Sequence, residues 1–265
     1  MRPVRTGRPR LPCCSSATDG NGSMASILSL IGPFTAHADA RTMTAQVRQS
    51  VTEALAAALR ERGRASLAVS GGSTPKALYE ALSAAPLDWA SVTVVLVDER
   101  WVDPGLAGSN ETFVRKTLLQ GPAAAARFVG LKTPDPTPQA GRDEAERRVA
   151  AVPRPFDLAI LGLGPDGHTA SWFPHAAGLQ EAIAARGPLT AAITARQSEV
   201  TGPFTERLTL TRAALADARR LILLIKGEDK RRAFETAQGP GRVEDMPVRA
   251  LIRDERARLE THWCP

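Results

Sequence analysis

Phe156-Asp157-Leu158-Ala159-Ile160-Leu161-Gly162-Leu163-Gly164-Pro165-Asp166-Gly167-His168-Thr169-Ala170-Ser171 is the stretch on which the fold turns. A short apolar run, Phe156 to Leu161, passes directly into a glycine-rich turn, the pattern of a strand buried on both faces that ends at a ligand-facing loop. Gly162, Gly164 and Gly167 satisfy the dinucleotide pattern G-x-G-x-x-G, and Gly162 to Thr169 would be a Walker A loop if His168 were lysine. Neither imitation survives. A Walker A loop needs an ammonium where this chain has an imidazole. A dinucleotide site needs a long helix and an acid about 20 residues on. Here Pro174 interrupts the helix, and the strand-like stretch Leu189 to Thr194 ends in Ala195 and Arg196. What remains is a glycine loop presenting Asp166 and His168 at a strand end. Loop histidines are usually surface residues, but this chain has only four, and this one sits where an α/β fold places a catalyst. Metal ligation by Asp166, His168 and His175 is the rival use, and their spacing fits no standard site.

Working outward, further apolar runs at Leu67 to Val69, Val92 to Val97 and Leu221 to Ile225 are each followed by a polar or glycine-bearing turn. Helical patterns at Lys76 to Leu82, Glu111 to Leu119, Asp143 to Val149 and Asp229 to Ala237 separate them. The alternation predicts an α/β fold: a modified Rossmann-like, mostly parallel, doubly wound sheet with helices on both faces. From Asp39 to Arg62, Met43, Val47, Val51, Leu55 and Leu59 recur every four residues and Gly63 stands at a C-cap, so an amphipathic helix is expected before the sheet begins. Thr133 to Gly141, rich in Thr, Pro and Gly, reads as a surface loop.

The other three turns carry charge or glycine. Gly71, Gly72, Ser73 and Thr74, with Thr74 as N-cap and Pro75 at N1, offer free amides and hydroxyls to a phosphate at a helix start. A glycine turn that merely caps a helix is an equally good account of those residues alone. Asp98, Glu99 and Arg100 follow a buried strand; solvated charge is the simplest account, with Arg100 retained as a planar partner for phosphate. Ser109 and Asn110 are expected to cap the helix at Glu111. The fourth turn holds Lys226 and Lys230. Lys76, Lys226 and Lys230 are three of only five lysines in a chain with 34 Lys plus Arg, and they lie in or beside these turns.

Composition narrows the function classes. The chain has 265 residues, is 43% hydrophobic and 23% charged, and contains no apolar run near the roughly 20 residues that span a bilayer. Residues 1–23 hold four Arg against one Asp, which is half of the net charge of +6. The remainder is spread without a long basic run, so anionic metabolites fit better than nucleic acid. Residues 1–23 are expected to be a disordered or cleavable tail, either a transit peptide or an upstream extension with the start at Met24, the latter preferred. Residues 24–265 are expected to form a single domain. Cys13, Cys14 and Cys264 have no metal or redox spacing and read as reduced thiols of a cytoplasmic protein.

Taken in order, SGGSTP, VDERWV, SNETFVRKTLL, FDLAILGLGPDGHTASWFP and LLIKGEDKR resemble the 6-phosphogluconolactonase family over roughly Asp39 to Trp263, with the closing THW included. The stretch around His168 is specific. The GGSTP and DER segments also resemble the related glucosamine-6-phosphate deaminases, whose comparable loop is similar to DGHIAFNEP, with a glutamate where this chain has Phe173. Trp172 stands where the lactonases usually have leucine. The resemblance implies hydrolysis of a sugar-phosphate lactone in the pentose phosphate pathway by a mechanism without cofactor; no metal ligands are assigned, and a monomer or weak homo-oligomer is expected. His168 is implied as general base and Asp166 as its orienting partner. Gly71, Gly72, Ser73, Thr74, Arg100 and Lys230 are implied as the phosphate site. A δ-lactone is an activated ester, so a positioned base suffices and no nucleophilic serine is needed; no GxSxG elbow occurs in the chain.

Overall fold

The computed structural model describes residues 32–265; the expectations about residues 1–23, Cys13 and Cys14 lie outside them. The chain begins with β1 (Phe34–Ala36), α1 (Ala40–Arg62), β2 (Ala65–Val69), α2 (Lys76–Ser83), β3 (Val92–Leu96) and β4 (Asp98–Arg100). It continues through α3 (Asn110–Thr117), β5 (Arg127–Val129), α4 (Pro138–Ala150), β6 (Leu158–Gly162), α5 (Leu179–Ile183) and β7 (Thr190–Thr194). β8 (Glu206–Leu210), α6 (Arg212–Leu215), β9 (Leu221–Lys226), α7 (Glu228–Gln238), α8 (Arg249–Ile252) and β10 (Leu259–Cys264) complete it.

Seven strands form one sheet in the order β1-β10-β9-β6-β2-β3-β5, and every pair in it is parallel. Every side chain of β2 and β3 is buried, and side chains alternate between faces, so both faces are covered. α1 packs across β10, β2 and β6 through Met43, Val47, Val51, Leu55 and Ala58. Its ends follow the sequence. Asp39 accepts the Thr42 amide at 2.7 Å, and Gly63, in the left-handed region at φ 68°, returns its N–H to the Leu59 carbonyl.

From β2 the chain winds outward through β3 to β5, then returns to the other side of β2 at β6 and continues to β9 and β10. The reversal leaves a crevice beyond the C-terminal ends of β2 and β6, where ligands of such sheets bind. The turns carrying Gly71 and His168 are those two ends.

Four expectations need correction. The sheet begins before the long helix: β1 pairs with β10, Phe34 opposite Thr261. Asp98 to Arg100 is a strand, not a solvated turn, and Asp98 and Glu99 are buried at 5% and 0% exposure. The stretch at Leu189 to Thr194 lies outside the main sheet, pairing with β8, and β8 with β4, in a three-stranded antiparallel sheet. Thr133 to Gly141 is no surface loop. Thr133 is buried, Trp101 Nε1 donates to the Asp135 carbonyl, and α4 starts at Pro138 with Thr137 accepting the Ala140 amide.

Candidate active site

The loop after β6 closes on itself. Gly164 N–H donates to the His168 carbonyl at 2.9 Å, and Gly167 N–H to the Gly164 carbonyl at 3.0 Å. Asp166 accepts twice from His168, from the backbone amide at 3.1 Å and from Nδ1 at 2.5 Å. That pair lies directly over Gly164: a Cβ there would sit 2.0 Å from His168 Nδ1 and 2.6 Å from Asp166 Oδ1, so only glycine leaves room. Burial raises the Asp166 pKa, and the side-chain and backbone hydrogen bonds from His168 act against it, so the net shift is downward. With Nδ1 held by a carboxylate, the neutral ring presents the lone pair of Nε2 to the cleft. Ala170, two residues on, sits at φ 52°, a strained conformation for a residue with a Cβ, and lines the same cleft.

His168 faces the expected anion cradle across one cleft of about 440 Å³, a volume suited to a small metabolite. Gly71, Gly72, Ser73, Thr74, Arg100 and Lys230 all line it. The cap is shifted by one residue from the expectation: α2 opens at Lys76, Pro75 holds the N-cap position, and no side chain caps the helix. Thr74 is thereby left for the cleft. Gly71 has a packing reason, since a Cβ there would meet Asn110 Oδ1 at 1.9 Å, and Gly72 has φ 104°. Tyr79 steadies the cradle from below, donating its hydroxyl to the Ser70 carbonyl at 2.9 Å. Of the three lysines near the turns, Lys230 alone lines the cleft. Lys76 pairs with Glu80 at 3.7 Å, and Lys226 is exposed.

The wall opposite α2 was not legible in the sequence. Ser109 does cap α3, accepting the Thr112 amide, but Asn110 does more: its Nδ2 donates to the Asp98 carbonyl at 2.9 Å and its side chain lines the cleft. Asp98 also accepts from the Ser171 hydroxyl at 2.6 Å, tying β4 to the loop that carries His168. Glu99 accepts the amides of Asn110 and Glu111, each at 2.7 Å, and that of Arg100 at 2.8 Å. Burial pushes its carboxyl up to about 7 against the downward pull of those three amides. Three buried atoms of cleft-lining residues, Ser70 Oγ, Asn110 Oδ1 and Arg100 Nε, have no hydrogen-bond partner among the described residues. Buried polar atoms left this way cost about 1–3 kcal/mol each. Arg207, on β8, also lines the cleft at 4% exposure. An alternating strand pattern at Glu206 to Leu210 was its only signal in the sequence.

The metal-ligand alternative loses its third member, because His175 turns to Asp245 at 3.1 Å. Among the described residues no cluster of three His, Cys, Asp or Glu side chains is placed to hold an ion. The deaminase-like position is filled by Phe173, which is buried with its ring centroid 4.5 Å from that of His168.

The chain is similar to known proteins along most of its length. A family model described as glucosamine-6-phosphate isomerases/6-phosphogluconolactonase matches residues 38–263. The chain is 44% identical over 214 residues to a 6-phosphogluconolactonase of Rhizobium meliloti (strain 1021), covering 80% of this chain and 89% of the relative. It is 42% identical over 228 residues to one of Pseudomonas aeruginosa, covering 85% and 90%. The crystal structure of a 6-phosphogluconolactonase from Shewanella baltica OS155 superposes with a TM-score of 0.83 at 37% identity, over 88% of this chain and 98% of that one. The chain therefore belongs to the glucosamine-6-phosphate isomerase/6-phosphogluconolactonase family.

Proposed function

We propose that this enzyme hydrolyses 6-phospho-D-glucono-1,5-lactone to 6-phosphogluconate in the pentose phosphate pathway, with His168 as general base toward water. The observation that carries the reading is the Asp166–His168 pair, 2.5 Å apart, facing an anion cradle across one cleft. The names of the two curated relatives, both 6-phosphogluconolactonases, support the substrate class. Asp166 fixes Nδ1 as the protonated nitrogen, so Nε2 takes the proton of a water as its oxygen attacks C1. The tetrahedral intermediate collapses by breaking the bond between C1 and the ring oxygen. His168 returns its proton to that oxygen, and the new carboxylic acid ionises into solvent. Base catalysis of this kind contributes about 10²–10⁴-fold. The amides and hydroxyls of Gly71, Gly72, Ser73 and Thr74, with Arg100 and Lys230, hold the phosphate and set C1 near the imidazole. Every group assigned a role belongs to the protein, so the proposed mechanism uses no metal or cofactor.

We place residues 24–265 as one lactonase domain working in the cytoplasm, as a monomer or weak homo-oligomer, with no nucleic-acid partner. Residues 1–23 account for half of the net charge of +6, and the rest of the chain has no long basic run. No helix among the described residues is long and apolar enough to cross a membrane. The test is proton release at constant pH from the phospholactone, with spontaneous opening subtracted, beside ammonia release from glucosamine 6-phosphate. Lactone turnover without ammonia is expected. Ammonia release without lactone turnover would reverse the assignment.

A further inference from the structure

Arg207 stands directly opposite Arg100 in the antiparallel ladder of β4 and β8. Like charges facing each other across strands repel, and burial removes the water that would screen them. Burial lowers the Arg207 pKa to about 10, with the charge of Asp98 opposing the shift and that of Arg100 adding to it. The nearby carboxylates do not pair with it. Asp98 is engaged by Ser171 and Asn110, while Glu99 is engaged by three amides and the Ser109 hydroxyl. The guanidinium is nonetheless rigid: Nε donates to the Phe204 carbonyl at 2.7 Å, Nη2 to the Thr201 carbonyl at 3.1 Å, and the plane lies over Phe173 at 5.1 Å. Nη1 makes no hydrogen bond to the described protein, and the residue lines the cleft. Across the ladder Arg100 donates to the Gly108 carbonyl and keeps a buried Nε without a partner. Two fixed guanidiniums of like sign, both opening on one cleft, are stabilised when an anion lies between them.

We infer that Arg207 joins Arg100 in a two-guanidinium clamp on the substrate's phosphate, and that Arg207 sets the preference for a phosphorylated over an unphosphorylated lactone. This rests on the lactonase reading. A phosphate monoester carries close to two negative charges at pH 7, and its oxygens match the planar donor fork of arginine. Lysine at 207 would keep the charge and lose the fork.

The test compares wild type, Arg207→Lys and Arg207→Met on 6-phosphogluconolactone and on unphosphorylated glucono-1,5-lactone, with inorganic phosphate as competing inhibitor. In Arg207→Met the ratio of the two kcat/KM values is expected to fall by about tenfold or more, as expected for loss of a charge-assisted contact. The phosphate inhibition constant should rise in step, with Arg207→Lys between the two. Equal losses on both lactones, with phosphate inhibition unchanged, would overturn the clamp and leave Arg207 as an anchor of the Thr201–Phe204 turn. If Arg207→Met does not fold, Arg207→Lys carries the same comparison. Wild type inactive on both lactones would instead overturn the lactonase reading, and phosphate binding by wild type and variants would then decide the clamp alone.

Discussion

At Asp166 a single hydrogen bond chooses which nitrogen of His168 carries the proton. Replacing the carboxylate with an amide keeps the shape, but lets the amide donate to Nδ1 and turn the proton onto Nε2, where it blocks base catalysis. Asp166→Asn is therefore expected to lower kcat by about 10²-fold or more with little change in KM, read by initial rates at constant pH. A KM effect alone would assign Asp166 to substrate binding. Much of this loop's geometry was readable beforehand, because Gly164, Asp166, Gly167 and His168 lie within five residues and make these contacts within one loop. Arg207, Asn110 and Ser171 were not, because Ser171 meets Asp98 from 73 positions away, Arg207 faces Arg100 only through a strand pairing that no local pattern encodes, and Asn110 reaches back to Asp98 on a strand too short to read. Lys76 and Lys226 misled for the complementary reason: proximity to a turn does not fix the direction of a side chain.

Among the elements, the edge formed by β1 and β10 carries its own titration. His37 Nε2 and His262 Nδ1 lie 3.0 Å apart with rings stacked at 5.2 Å, and burial lowers both pKa values from the ordinary 6.5. Both imidazoles take protons more readily in the unfolded chain than in the folded one. Their contribution to stability is thus present above about pH 6.5 and is lost as pH falls below it. The urea midpoint of the wild type is expected to fall between pH 7 and pH 5, and His262→Asn should flatten that part of the profile. An unchanged profile in the variant would remove the pair from the acid response. Elements were legible where burial is two-sided: β2, β3, β6 and β9 announce themselves as continuous apolar runs. The three-residue β1 and β4 are too short for any periodicity, and β8 mixes charged and apolar residues because one face meets the cleft. Thr137 before Pro138 was a readable helix start hidden in a segment that composition marks as loop.

For the whole molecule, winding order matters more than any one element. The chain leaves β2 toward one edge and returns at β6, so two loops nearly a hundred residues apart, carrying Gly71 and His168, open on the same crevice. The small antiparallel sheet closes its far wall, bringing Arg100 and Arg207 to the cradle. Fold class and winding were legible from the alternation of strand and helix patterns; the second sheet was not, because its three strands come from separated segments. The central claim is that the imidazole does the chemistry while the cradle does the binding. Comparing His168→Ala with wild type, for turnover of the phospholactone and for binding of 6-phosphogluconate by calorimetry, tests it most directly. The account predicts that turnover falls by about 10²–10⁴-fold while product affinity stays within a few fold. Turnover at the wild-type rate in His168→Ala would contradict it.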